Sequence, residues 1–425
     1  ILIAVLEHEM SALWLTLVVR RSSWWRLGLT PIRAAVLILL VALLVSALAG
    51  VNVSRSLWST QERALGLIAL LHFAMLGLIL SDMNDELPSS RYLNASSIVS
   101  VIVAIFALVE IAMPGTFLRS DPTAVLRPGS FFRNPTFLAA YLLPHIFFIM
   151  HLAARALRNR AANLTFAWCA AIALETLVVF LTQTRGAILG LAAGLLALGG
   201  CYAIRGSPRP LWRSLSVRTA SRAALLAIGL LGAIVFFTRT ADVWQKVPGL
   251  RRLTRLTTSS VDIQPRMLAF RAFWQAAQDR PLLGYGFENG SFAFNRHYDP
   301  RMLRYGSDET RFDKPHNVLL EYAVVGGLLG LGAFVGFLTV TAWQLFRSSG
   351  LREFTPFGIG LLAAHVTNNL FFFDTFGSYL GLFLLLGFAD AHGRTAAPRA
   401  ARRPAGLARE HVVVAGIAAV VCATW

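Results

Sequence analysis

Apolar runs of about 20 residues, the length that crosses a bilayer as a helix, recur from one end of the chain to the other. They cover residues 34–50, 64–80, 96–113, 136–154, 165–181, 187–204 and 223–237, then 318–346, 354–373 and 375–391. Two further runs, 1–19 and 411–425, are shorter or interrupted, the first by Glu7, His8 and Glu9. The pattern predicts an all-α polytopic membrane protein with about 12 transmembrane helices. One polar interval, 238–315, is far longer than the rest. It divides the chain into N-terminal membrane helices (1–237), an external loop (238–315) and C-terminal membrane helices (316–425). A polar stretch of that length between membrane helices usually serves as a lid or a binding platform.

Composition agrees: the chain is 56% hydrophobic and only 14% charged, with a mean hydropathy of +0.60. Arginine is dense in 20–33, 155–160, 205–222, 347–352 and 394–409, and an even number of spans separates each stretch from the next. All five therefore fall on one side, which the positive-inside rule makes the cytoplasm. The interval 81–92 shares that side and is mixed in charge. The external face then carries 51–63, 114–135, 182–185, 238–315 and the corner at Asp374. The same parity sets Ile1 outside, and without an initiator Met the expectation is that native sequence, with room for a further helix, precedes it. The formal charge of +17 is spread over short loops, and nothing resembles a nucleic-acid module. All basic residues but Lys246 and Lys314 are arginine, a bias that points to base composition rather than guanidinium chemistry at any one site. Cys169, Cys201 and Cys422 lie in apolar runs without ligand-like spacing.

Within the long loop, Gln264-Pro265 starts a helix and Arg280-Pro281 stops it, predicting an amphipathic helix over about 265–279. Met267, Phe270, Trp274 and Ala277 form its apolar stripe, with Phe273 alongside. Arg266 falls roughly 50° from the stripe centre and Arg271 roughly 90° away at about 100° per residue, so Arg266 leans toward the membrane or the bundle and Arg271 toward water. Arg266 also suits a snorkelling role. Arg185, in Thr182-Gln183-Thr184-Arg185-Gly186, joins two spans with almost no loop and suits either an anionic ligand or snorkelling at the outer surface. His316 follows Pro315 and opens the next span. The helix N-terminus, Arg311 and Lys314 all disfavour imidazolium, leaving the neutral form that a general base needs. The placement equally suits a helix-capping or interfacial histidine. Gly326, Gly327, Gly330, Gly332 and Gly336 read as close helix packing. Only Asp308-Glu309 form an adjacent acidic pair, and no metal or cofactor is expected.

His316-Asn317, followed by Gly327 and Gly330, fits in full the pattern H-[NSQ]-x9-G-x-x-[GTY]. Taken with Pro281-Leu282-Leu283-Gly284-Tyr285-Gly286 after the loop helix, Thr184-Arg185-Gly186-Ala187, and Phe132-Arg133-Asn134-Pro135-Thr136 ahead of a span, the chain resembles the O-antigen ligase/polymerase (Wzy_C-type) family of membrane glycosyltransferases. The family's loop arginine is often written R-x3-L, and here Phe270 stands where the leucine would be. The resemblance covers roughly 34–391 and implies a GT-C-like architecture in the bacterial inner membrane, with the active site facing the periplasm. It implies transfer of a glycan from undecaprenyl diphosphate to a lipid A-core hydroxyl, inverting and without a metal. His316 would be the general base, and Arg185 and Arg266 would hold the diphosphate. Asn317, Arg311, Arg133, Asn134 and Arg271 are secondary candidates for substrate contact. Partners would be the lipid-linked donor, the lipid A-core acceptor and membrane lipids, with no nucleic acid. Polymerisation of lipid-linked glycan and protein O-glycosylation are alternatives within the family, and a lipid-linked glycan flippase is the alternative outside it.

Overall fold

The computed structural model describes residues 29–82, 89–113, 127–206, 216–238, 241, 244, 264–305 and 310–393. The expected runs at 1–19 and 411–425, the basic stretch 394–409, Cys422 and the pair Asp308-Glu309 lie outside the described residues. Among the described residues the chain is helical, with no strand. The long helices are α1 (Pro31–Leu48), α3 (Leu67–Asp82), α4 (Ser89–Ala112), α5 (Pro135–Arg158), α6 (Ala162–Leu181), α7 (Arg185–Arg205) and α8 (Val217–Phe237), then α11 (Val318–Arg347), α12 (Thr355–Asn369) and α13 (Phe376–Gly393). Short α2 (Val53–Trp58) follows α1, and α9 (Gln264–Asp279) and α10 (Gly290–Arg296) belong to the long connection. Each of the ten apolar runs within the described residues has a helix. Seven of those helices are long and apolar enough to cross a membrane, and α3 is a shorter apolar helix. The run expected at 354–373 forms a shorter helix, because α12 stops at Asn369 and the chain then turns through Phe371, Phe372 and Phe373.

Local chemistry sets the helix starts. Thr30, Asn134 and Asn317 each cap a helix by accepting a backbone N–H, and Pro31 and Pro135 occupy first-turn positions where no N–H is needed. Cross-links then sort the helix ends into two sets. At one end Arg33 of α1 pairs with Asp82 of α3 and Asp390 of α13, at 2.5 and 2.8 Å. Arg158 bridges to Glu353 there, and Ser348 donates to the His392 carbonyl. At the other end Arg127 donates to the Thr182 carbonyl, Arg63 pairs with Asp313, and Asn317 donates to the Leu370 carbonyl. Helices α7 and α12 cross closely because Gly190 and Gly194 face Ala364 and Gly360, where a Cβ on Gly194 would stand 2.6 Å from the Gly360 carbonyl oxygen.

Helix α11 is broken at Gly327, whose φ of +59° leaves the helical region. Segment 281–286 fills the break. Leu328 N–H and Leu329 N–H donate to the Pro281 and Leu282 carbonyls, while Tyr285 and Gly286 donate to the Val324 and Val325 carbonyls. These are the four groups that the helix would otherwise pair with one another. Ser46 of α1 adds a hydroxyl bond to the Leu283 carbonyl, and Val51 N–H reaches the Tyr285 carbonyl. A Cβ on Gly327 would lie 2.3 Å from the Leu282 carbonyl carbon. Close packing thus accounts for Gly327, whereas Gly332 and Gly336 have nothing within 4 Å of a Cβ and correct the expectation that every glycine of this run is a packing position.

Gly327→Ala is expected to lower the thermal unfolding midpoint of the detergent-solubilised protein, since backbone must move and an alanine held at φ +59°, ψ −159° adds about 1–3 kcal/mol of strain. Gly332→Ala should leave that midpoint unchanged or raise it.

Candidate active site

The turns at the 182–184, 310–317 and 370–375 end of the bundle carry unusual backbone. Among the described non-glycine residues, positive φ occurs at Ser59, Ala64, Ser130, Arg133, Gln183, Glu288 and His316 on this side, and at Arg160 on the other. Left-handed residues of this kind persist where the surrounding structure holds them, and they gather at functional sites.

His316 has φ +55° and sits just before Asn317, the N-cap of α11. Its Nδ1 lies 3.2 Å from the Lys314 carbonyl oxygen. A carbonyl only accepts, so Nδ1 carries the proton and Nε2 the lone pair. The ring is packed among Phe312, Phe372 and Phe373, with centroids 5.7, 5.9 and 5.2 Å away. Burial pushes His316 down to about 4, and Arg266 then Arg63 push the same way. The imidazole is therefore neutral near pH 7, as expected, but for a different reason. Burial and the Arg266 guanidinium hold it there, against the Lys314 carbonyl and the Asp313 carboxylate, rather than Arg311, which is exposed, or the Lys314 ammonium.

Lys314 is occupied elsewhere. Its Nζ donates to Glu288 and to Glu321 at 2.6 Å each, and all three side chains are buried. Burial works against its charge, yet the two carboxylates outweigh that and hold it well above the ordinary ammonium range. Ser59 donates to the other oxygen of Glu288, and Arg55 to the Glu288 carbonyl. This network fixes the peptide whose carbonyl sets the His316 tautomer.

Arg266 lies in the first turn of α9, exposed, and close enough to His316 to act on its charge. Arg185 begins α7, half-buried, in a turn held by Thr182, which accepts from Arg127 and donates to Thr184. Its neighbour Gly186 packs on the Asn368 carbonyl and Phe371, while Asn317 grips the Leu370 carbonyl. Gly186, next to Arg185, and the His316 ring thus meet the same stretch, 368–373. Asn317 uses both ends of its amide on backbone, the oxygen on Leu320 N–H at 3.0 Å and the nitrogen on Leu370 at 3.0 Å. Asn134 likewise caps α5, and Arg133 beside it is exposed at φ +53°. Phe137, in the first turn of α5, reaches the Phe372 ring at 5.9 Å. Arg271 is exposed near Asp299.

The loop helix buries a different face from the one expected. Pro265, Leu268, Ala269, Ala272, Phe273 and Ala276 pack inward, and Met267, Phe270 and Trp274 stay exposed. Small residues let the backbone of α9 approach its neighbours, which outweighs the area that the larger side chains would have covered.

Arg63 and the Lys314 network carry no sequence signal. Arg63 makes a two-pronged pair with Asp313, its second bond 2.9 Å long, and its guanidinium lies 4.5 Å over the Phe373 ring. Nothing local links a residue of the turn between α2 and α3 to one 250 positions later. Among the described residues, no group of three or more His, Cys, Asp or Glu side chains is arranged to hold a metal ion. The arrangement instead offers an uncharged imidazole with a free lone pair beside fixed positive charge. That combination has the chemistry to accept a proton from a hydroxyl and to stabilise an anionic leaving group.

Lys314→Met leaves two buried carboxylates unpaired and is expected to destabilise the protein by about 3–5 kcal/mol. Adding Glu288→Gln and Glu321→Gln should recover most of that loss, measured by denaturant unfolding in detergent.

Residues 168–335, from within α6 to beyond the break in α11, match the Wzy_C family, described as O-antigen ligase. No curated protein matches the chain. The matched stretch contains Arg185, Arg266 and the whole His316–Gly330 motif, while Arg63 and 368–373 lie outside it. The match is one of similarity over residues 168–335, and it is consistent with a member of the O-antigen ligase/polymerase family.

Proposed function

We propose that this protein transfers a glycan from undecaprenyl diphosphate to a sugar hydroxyl of the lipid A-core, at the periplasmic face of the bacterial inner membrane. The observation that carries the reading is the neutral His316, with its Nε2 lone pair unclaimed by the Lys314 contact, beside Arg266. In the reaction, the acceptor hydroxyl gives its proton to His316 Nε2 as its oxygen bonds to the anomeric carbon. The bond from that carbon to the diphosphate oxygen breaks, and its electron pair leaves with undecaprenyl diphosphate. Attack from the side opposite the leaving group inverts the anomeric centre. Arg185 and Arg266 bind the diphosphate through charge-assisted, two-pronged hydrogen bonds and stabilise the charge that grows on it, the task a metal ion performs in other phosphate-leaving reactions. The low proton affinity of His316 also favours the return of the proton to solvent before the next turnover. Arg63 stays tied to Asp313 and holds the turn before His316 in place. Asn317 orients the histidine turn rather than the sugar, and Arg133, Asn134, Arg271 and Arg311 are secondary candidates for phosphate or sugar contact. A ligase in particular suits an acceptor rich in core phosphates, which match a basic external loop.

Purified protein in lipid nanodiscs should transfer glycan from the undecaprenyl-linked donor to lipid A-core in the presence of chelator. Transfer instead to a second lipid-linked glycan would make it a polymerase. In cells, His316→Ala is expected to leave lipopolysaccharide without its glycan while lipid-linked polymer accumulates; normally capped lipopolysaccharide would remove the general-base assignment.

A further inference from the structure

Phe270, Arg271, Trp274 and Gln275, on the outward side of α9, line an open recess of about 360 Å3, within the size range of small-ligand sites. The helix does not need these rings to stay docked. Its inward face packs on α10 and α11 through Leu268, Ala269, Ala272, Phe273 and Ala276. Phe270 and Trp274 remain 43% and 54% exposed. The character of the recess differs from the outward faces of α1 and α4. Those present Leu37, Ile38, Val41 and Leu44, and Ile98 and Ile102, aliphatic surfaces suited to lipid tails. The recess joins two aromatic rings to a guanidinium and a carboxamide, with the Asp299 carboxylate close to Arg271. That mixture suits a carbohydrate. A pyranose has a face of C–H groups that packs on the electron-rich face of an aromatic ring, and a rim of hydroxyls that needs planar donors and acceptors.

Position adds a second argument. Arg266, Phe270 and Trp274 recur every four residues and so share one side of the helix. At about 1.5 Å per residue, Phe270 lies about 6 Å and Trp274 about 12 Å along the axis from Arg266. A diphosphate at Arg266 would present the first sugars of its glycan along this side.

We propose that the recess is a glycan subsite, which binds the sugar residues of the lipid-linked donor next to the diphosphate. This rests on the transferase reading for its identification of the donor, but the binding itself is measurable without turnover. The probe is the repeat-unit oligosaccharide released by mild acid from the host's own lipid-linked glycan. Saturation-transfer NMR on the full chain in nanodiscs should show the oligosaccharide bound to wild-type protein, and the signal should fall at least five-fold in Trp274→Ala and in Phe270→Ala. Trp274→Phe, which keeps an aromatic face, should restore most of it. In the transfer assay, Trp274→Ala should raise KM for the glycan donor about ten-fold and change kcat less than two-fold. Oligosaccharide binding that is the same in wild type and Trp274→Ala would overturn the subsite. So would a nitroxide at Trp274→Cys reporting burial in the hydrocarbon rather than contact with water, since the face would then be a bilayer anchor. If wild-type protein transfers no glycan yet binds the oligosaccharide through Trp274, the transferase reading fails and the subsite stands.

Discussion

Helix α11 exists in two legs because another piece of chain completes its hydrogen bonding. The carbonyls of Val324 and Val325 and the N–H groups of Leu328 and Leu329 would pair with each other in an unbroken helix. Here each pairs with segment 281–286. Inside an apolar bundle an unpaired peptide group costs several kcal/mol, so break and insert can persist only together. Three glycines make the fit sterically possible. Gly284 and Gly286 hold φ of +68° and +93°, and Gly327 leaves no room for a Cβ against Leu282. The consequence is positional: α9 ends where the insert begins, and His316 lies just before the broken helix. The same clasp therefore sets the guanidinium of Arg266 relative to the imidazole.

Electrostatics at the site follow from that placement. The nearest lysine, Lys314, is neutralised inside a buried carboxylate pair, and Arg63 is matched by Asp313. These residues shape the pocket without consuming the histidine. His316 keeps one nitrogen committed to a carbonyl and the other available, in an aromatic enclosure that resists protonation.

Much of this was legible in the residues alone, for identifiable reasons. Apolar runs report helices because burial in lipid leaves a one-dimensional trace, and the proline and asparagine ahead of α5 and α11 mark starts through local bonds. The motif ending in Gly327 and Gly330 and the Pro281–Gly286 segment were readable as separate signals, and their physical link, one completing the other, was not. The inward face of α9 was misread because hydrophobic size was weighed above closeness of approach: Ala269, Ala272 and Ala276 lie inside while Trp274 lies out. Arg63 and the Glu288–Lys314–Glu321 network depend on pairings between distant turns, and no local pattern encodes those. Helix α12 ended early because Asn368 and Asn369 turn inward, Asn369 donating to Asp374 at 2.8 Å.

The protonation state of His316 carries the account. Nitrogen-15 NMR of histidine-labelled protein in nanodiscs, with His316→Gln supplying the assignment, reads both the titration midpoint and the tautomer. The account predicts a neutral ring protonated at Nδ1 near pH 7, which charges only as the pH falls toward about 4. A midpoint near the ordinary histidine value of about 6.5, or a proton resting on Nε2, would contradict it.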